Sequence, residues 1–253
     1  MHILVTNDDG VTAPGLQLLA NAVRPFGKVT ILAPDHNWSA SGHVKTLHKP
    51  LRIKKVTLAD GTKALSSDGA PSDCVALATM GIVPEKIDLV VSGINNGPNL
   101  GHDVTYSGTV TAAMEAVITG IPGIAFSFGD HQQNSDHYET AVIAITQIMQ
   151  TVLRQELDPA MLLNVNIPLL PKDELKGIRI TRQGQRVYLH ELVERVDPRK
   201  RPYYWIGGDA PSGIPDDGTD IGALSEGYVS ITPLHLDLTD YPMAQRLSAW
   251  EWE

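Results

Sequence analysis

Residues 3–5, Ile-Leu-Val, form a short apolar run that stops at a polar burst, Asn7-Asp8-Asp9-Gly10. Leu16, Leu19, Ala20 and Val23 follow at the i, i+3, i+4, i+7 spacing of a helix with one buried face. The same alternation recurs. Apolar runs at 28–32, 87–91, 123–128 and 161–167 read as buried strands, and helical patterns fall between them at 13–26, 71–80, 106–120 and 138–152. Strand–helix alternation of this kind packs as a parallel sheet with helices on both faces. The predicted fold is therefore α/β, a Rossmann-like doubly wound sheet. In such sheets ligands bind beyond the carboxyl ends of the strands, where the Asp8-Asp9 pair lies.

Within this frame the first helix has Thr12 as its expected N-cap, Pro14 in its first turn and Gly27 just past its end. Segments 51–58 and 62–66, joined by Asp60-Gly61, read as a hairpin. Cys74, on the helix over 71–80, reads as a core residue. After about Gly177 the pattern changes to strand-like pieces at 178–181, 187–192 and 203–207, separated by charged and Gly/Pro-rich stretches. Residues 209–218 look least compact, 220–226 read as a short helix, 228–233 as a strand, and the tail through Trp250 and Trp252 is amphipathic. The expectation is one domain over 1–253. Its core takes in about 1–175 plus 219–235, with an antiparallel hairpin excursion over about 177–218 and a C-terminal tail over 236–253.

The charge balance, 20 basic against 29 acidic residues, speaks against a nucleic-acid polymer as partner. A small anionic substrate remains compatible if a metal supplies local positive charge. No apolar run approaches the roughly 20 residues that cross a bilayer, and the start lacks the pattern of a signal peptide. With one cysteine there is no internal disulfide, which fits a reducing compartment, and a cytoplasmic protein is expected.

Two adjacent carboxylates at a strand end raise each other's pKa unless a cation lies between them. Asn, Asp and Gly are equally the residues of an ordinary turn, so this stretch alone reads as either turn or metal site. Ser39, after the second strand, and Asn95, after the third, add a hydroxyl and an amide oxygen. With Asp8 and Asp9 they make a set suited to Mg²⁺, Mn²⁺ or Ca²⁺. No His/Cys cluster has zinc spacing. Ser107-Gly108-Thr109 opens a helix, where free N–H groups and the dipole favour a phosphate, although Ser107 is also an ordinary N-cap. Neither a P-loop nor a G-x-S-x-G elbow occurs.

In three separated blocks the chain resembles the SurE family of stationary-phase survival proteins, which act as 5′/3′-nucleotidases. The blocks are 5–10 (Val-Thr-Asn-Asp-Asp-Gly) with Ala13-Pro14-Gly15, then 37–40 (Asn-Trp-Ser-Ala), then 92–95 (Ser-Gly-Ile-Asn) running on to 106–110 (Tyr-Ser-Gly-Thr-Val). A fourth echo is 227–233, Gly-Tyr-Val-Ser-Ile-Thr-Pro. The resemblance implies that Asp8, Asp9, Ser39 and Asn95 hold one divalent metal ion, Mg²⁺ or Mn²⁺. It also implies that Ser107, Gly108 and Thr109, with Asn96 adjacent, bind phosphate. Nucleoside 5′- and 3′-monophosphates are the implied substrates, and the implied assembly is a homodimer or homotetramer built partly by exchanged C-terminal segments. Ala116, where the family often has glycine, is the one departure and lies inside the helix.

Competing readings are weaker. An aspartyl-phosphate phosphatase aligned on Asp9-Gly10-Val11 would have Asn7 as its nucleophile, and an amide cannot form an acyl phosphate. Attack by a metal-activated water, with the Asp8-Asp9 pair as catalytic carboxylates, is preferred. A receiver domain would need an Asp after the third strand, where the chain has 92–95, Ser-Gly-Ile-Asn. His43, His48 and His102 lie near the candidate loops and stay outside the catalytic set.

Overall fold

The computed structural model describes residues 1–130, 138–188, 191–207 and 212–252. Strand β1 (His2–Thr6) is central, with β2 (Lys28–Pro34) parallel on one side and β5 (Leu89–Asn95) parallel on the other. Beyond β2 lies the hairpin β3 (Ile53–Thr57) and β4 (Lys63–Ser67). Beyond β5 come β6 (Gly123–Phe128), β7 (Leu162–Ile167), β13 (Val229–Leu234) and β8 (Ile178–Ile180). The sheet order is β3-β4-β2-β1-β5-β6-β7-β13-β8, mostly parallel, with antiparallel pairs at β3/β4 and β7/β13.

Period-two alternation in β1 sorts the core. Ile3 and Val5 point to the face covered by α1 (Pro14–Val23) and α4 (Tyr138–Val152), where Leu16, Leu19, Ile145 and Ile148 pack against Phe126 and Val165. Leu4 points to the other face. There it packs with Leu32, Val75, Ala112 and Ala116 under α2 (Pro71–Leu77) and α3 (Gly108–Ile118). Cys74 is fully buried there, and burial pushes its thiol pKa up, as expected of a core cysteine. Ala116 is enclosed in the same cluster.

Several boundaries differ from expectation. The N-cap of α1 is Ala13 and not Thr12, because the chain turns over Gly10–Ala13 before Pro14 presets the first helical φ. The helix expected over 71–80 ends as α2 at Leu77 and widens into a π turn over Ala78–Ile82 that Gly81 breaks. β5 runs on to Asn95, so that residue is the last of a strand and not part of a loop. Within α3 the apolar Ile118 is exposed, whereas Glu115 is buried. The strand expected at 187–192 is split between β9 (Arg186–Val187) and β10 (Glu191–Val196), and residues 189–190 between them lie outside the described residues. Among the described residues β10 pairs only with β11 (Pro202–Gly207), and β9 with β12 (Ser212–Gly213). Residues 209–211 of the stretch expected to be least compact also lie outside the described residues. The short helix is α5 (Asp220–Ser225), and the amphipathic tail forms α6 (Tyr241–Ser248), none of whose residues is buried.

Candidate functional site

The strand order reverses between β1 and β5, and this is the crevice where an open α/β sheet binds ligands. Thr6 of β1 pairs with Ser92 of β5, and Asp9 and Asn95 lie equally far past that pair, at one edge of the sheet. Gly15 lets α1 close on this edge, since a Cβ there would stand 2.2 Å from the Ile94 carbonyl oxygen. The loop after β2 is tied to the same place by two backbone bonds, Val11 N–H to Pro34 O at 2.7 Å and Trp38 N–H to Asp8 O at 2.7 Å.

Asp8 is 3% exposed, and the Thr109 hydroxyl donates to its Oδ1. Burial pushes its carboxyl up from 3.8 to about 6. The Thr109 bond works against that shift and the neighbouring Asp9 charge adds to it. Asp9 is half-buried and also raised by burial, offset by the Asn96 backbone N–H at 3.2 Å from Oδ2. Asn37 Nδ2 donates to Asp9 Oδ1 at 3.3 Å and its Oδ1 accepts from the Ser39 N–H at 2.7 Å, so one amide links the carboxylate to the serine loop. Asn95 Nδ2 donates to the Gly97 carbonyl at 2.8 Å, which leaves its amide oxygen as the acceptor end. Ser39 itself is exposed.

At the start of α3, Ser107 is the N-cap and its Oγ accepts from the Val110 N–H at 3.1 Å. The first-turn amides of Gly108 and Thr109 are the donors a helix leaves without intrahelical partners. Gly108 sits against the first carboxylate: a Cβ there would stand 2.8 Å from Asp8 Cβ and 3.0 Å from Oδ2. Thr109 faces the first carboxylate. The hydroxyl donates to Asp8, and the Thr109 backbone N–H also helps to hold that carboxylate.

The donor set fits a hard divalent cation. Two adjacent carboxylates are held in a desolvated crevice, and among the described residues neither forms an ion pair with a basic side chain. A hydroxyl and an amide oxygen stand on the neighbouring loop and strand end. These are oxygen ligands of the kind Mg²⁺ and Mn²⁺ prefer.

Two supporting groups escaped sequence reasoning. Glu115 on α3 takes His43 Nε2 at 3.0 Å on one oxygen and Lys45 Nζ at 2.9 Å on the other. With Thr111 Oγ1 donating to Gly42 O at 3.1 Å, it clamps the serine loop onto α3. His43 is thereby a strap residue, while His48 and His102 are exposed. Asn99 is gripped by Asn166 Oδ1 at its N–H (2.8 Å), by Ser127 Oγ at its Nδ2 (2.8 Å) and by Asn164 Nδ2 at its carbonyl (2.8 Å), which fixes the loop after Asn95 and Asn96. A buried carboxylate at a helical position and polar residues inside otherwise apolar strands were the available signals.

Comparison with known proteins gives concordant findings. The family model described as Survival protein SurE matches residues 3–190. The 5′-nucleotidase SurE of Chloroflexus aggregans is 49% identical over 253 residues, covering 100% of both chains. That of Herpetosiphon aurantiacus is 50% identical over 252 residues, covering 100% of this chain and 99% of the other. The crystal structure of the Sure protein from Aquifex aeolicus superposes with a TM-score of 0.82 at 41% identity, over 98% of each chain.

Proposed function

The chain belongs to the SurE family, and from that we propose that it is a 5′-nucleotidase, hydrolysing nucleoside 5′-monophosphates, and 3′-monophosphates as well, to nucleoside and phosphate. The observation that carries the reading is the unpaired Asp8-Asp9 couple at the switch point, facing the open start of α3. Asp8, Asp9, Ser39 and Asn95 hold one divalent ion, Mg²⁺ or Mn²⁺. When bound, that ion neutralises charge on the phosphate and makes water a stronger nucleophile near neutral pH.

The chain's own groups do the rest. The Gly108 and Thr109 amides and the α3 dipole, with Ser107 as cap and Asn96 across the crevice, hold the phosphate against the carboxylates. The Thr109 hydroxyl favours the ionised form of Asp8, which burial alone would neutralise. Asn37 and the Asn96 amide orient Asp9. Positioning and charge stabilisation supply most of the rate in phosphoryl transfer, so no covalent nucleophile is required.

The chain acts as one α/β unit: β8, at the start of the stretch expected as an excursion, belongs to the main sheet, while β10 and β11 form a separate two-stranded sheet. It works in the cytoplasm as a homodimer or homotetramer. Phosphate release from a panel of nucleoside monophosphates, in EDTA and then with Mn²⁺, Mg²⁺, Co²⁺ or Ca²⁺ restored, tests the reading. No release under any of these conditions refutes it.

A further inference from the structure

Asp103 lies in a 3₁₀ turn, Gly101–Thr105, on the stretch that leads from β5 to the start of α3. Its main-chain carbonyl accepts the N–H of Tyr106 at 2.9 Å and that of Ser107 at 3.1 Å, so the cap of α3 hangs from this residue. Its side chain is gripped from far along the chain. Arg186 Nε donates to Oδ2 at 2.6 Å, and the Tyr188 hydroxyl donates to Oδ1. The Arg186 side chain is 9% exposed and that of Asp103 18%, so the ion pair is largely desolvated. Burial and the bond to Asp103 push the Tyr188 phenol up to about 12, which keeps it a donor across the neutral range.

The same two segments are joined again close by. The buried Asp220 carboxylate takes the Gly101 N–H on Oδ2 at 2.8 Å and the Gly184 N–H on Oδ1 at 2.7 Å. Gln183 Nε2 donates to the Gly101 carbonyl at 3.0 Å. A Cβ on Gly101 would stand 2.4 Å from the Gly184 carbonyl oxygen, so the two backbones touch. Residues 183–188 follow β8, include β9 and lie outside the nine-stranded sheet. A desolvated ion pair adds little net stability over apolar contact of the same shape. What it supplies here is orientation, since a carboxylate held on both oxygens cannot pivot.

Resting on the reading of α3 as the phosphate-holding helix, we propose that Arg186 and Tyr188 are positioning residues for the reaction: acting through Asp103, they set where the first turn of α3 stands relative to Asp8. Neither residue touches the reacting atoms. The path runs from Arg186 and Tyr188 to the Asp103 carboxylate, from the Asp103 carbonyl to the Ser107 N–H, and from Ser107 into the first turn, where Gly108 stands against Asp8. The stretch after β8 is thereby a working part of the site, although it lies outside the main sheet. A shift of its base moves the start of α3 and leaves Asp8, Asp9 and Asn95 on their own strand ends. Misplacement by about 1 Å at a reacting centre costs about a hundredfold in rate.

The test uses the full chain with Mn²⁺, adenosine 5′-monophosphate as substrate and inorganic phosphate as inhibitor, on Arg186→Met, Arg186→Lys, Tyr188→Phe and Asp103→Asn. Arg186→Met is expected to lower kcat/KM by about tenfold to a hundredfold and to weaken phosphate inhibition by about tenfold, with the Mn²⁺ concentration for half-maximal activity held within about twofold. Arg186→Lys keeps the charge, loses the fixed Nε direction and should fall in between. Tyr188→Phe removes one hydroxyl and keeps the ring. It should fold normally and lose several-fold in the same two quantities, which decides the matter if Arg186→Met is poorly folded. Since both residues act through Asp103, Arg186→Met combined with Asp103→Asn should lose little more than the larger single loss. Unchanged kcat/KM and phosphate inhibition in Tyr188→Phe or in a folded Arg186→Met would overturn the proposal. So would losses that multiply in the double variant, or a rise in Mn²⁺ requirement as large as the loss in kcat/KM. A wild-type protein that releases phosphate from no nucleoside monophosphate and binds no inorganic phosphate would instead overturn the nucleotidase reading.

Discussion

Asp8→Asn should stabilise the metal-free protein while abolishing its activity. The Asp8 carboxyl is raised from 3.8 to about 6, chiefly because it is buried. In the unfolded chain it titrates near the ordinary value. A raised folded-state pKa means that the fold prefers the protonated form. Below about pH 4 the residue is neutral in both states and costs nothing. As pH rises through the interval from 3.8 to about 6 the penalty grows, and above it the penalty is complete. About two units at 1.36 kcal/mol each make this roughly 3 kcal/mol at pH 8, and about half of that at pH 5.

Asparagine has nearly the shape of the neutral acid, and its Oδ1 still accepts the Thr109 hydroxyl. The variant should therefore recover most of that penalty. For a chain of this size each kcal/mol moves Tm by about 2–4 °C, so the expected rise is roughly 6–12 °C at pH 8, falling to about half at pH 5. Differential scanning calorimetry of EDTA-treated protein at both pH values measures it. In saturating Mn²⁺ the wild type gains stability by mass action and the gap should close, while kcat of the variant falls by orders of magnitude. A variant less stable than wild type at pH 8 without metal, or a gain of the same size at both pH values, would refute burial of an unpaired charge as the organising fact of this site.

Other perturbations read other parts of the machinery. Chelation should reduce phosphate release to background, and Mn²⁺ or Mg²⁺ should restore it; full turnover in metal-stripped protein would contradict the ligand set. Gly108→Val drives a side chain into Asp8, so kcat/KM should drop for every nucleotide alike and inorganic phosphate should inhibit less; unchanged kinetics would remove the start of α3 from the site. Glu115→Ala loosens the loop carrying Ser39, so the Mn²⁺ concentration for half-maximal activity should rise about tenfold, with Glu115→Gln in between; a shift in Tm with no change in metal requirement would make the clamp purely structural. Deleting 236–253, which includes α6 and the exposed Trp250 and Trp252, should weaken the oligomer; light scattering that finds a monomer in the intact chain at micromolar concentration would refute assembly.

The parallel part of the fold was legible because its central strands β1, β5 and β6 are buried almost throughout and read as largely apolar runs, and each long helix shows an apolar stripe. Val5, Val91 and Ile124 and their neighbours could hardly have gone elsewhere. The C-terminal third was less legible. β10 and β11 expose Leu192, Trp205 and Ile206, so their composition is not tied to a face of the main sheet and gives no period to read. The boundary at Thr12 failed for a local reason: a good capping residue stands one position too early, and Pro14 sets the start of α1 instead.

The candidate site divides along a similar line. Asp8, Asp9 and Asn95 were legible because polar residues at the ends of buried strands have nowhere to go but the carboxyl edge, and the switch point then brings β1 and β5 together. The groups that tune and hold them were not legible, because their partners are far away in sequence. Thr109 reaches Asp8 from 101 residues away, Glu115 reaches His43 from 72, and Asn99 reaches Asn166 from 67. In the sequence Thr109 looked like a phosphate ligand by its side chain. In the fold its hydroxyl donates to a carboxylate, and this changes what its loss should mean. Thr109→Val removes a hydrogen bond that favours the ionised Asp8, so the carboxyl pKa should rise further and the metal should bind more weakly near neutral pH. A hydroxyl that bound phosphate directly would instead weaken phosphate inhibition at saturating metal and leave metal affinity alone. Titrating Mn²⁺ and phosphate separately on that variant distinguishes the two roles, and a defect confined to phosphate would show that the hydroxyl turns away from Asp8 when substrate is present.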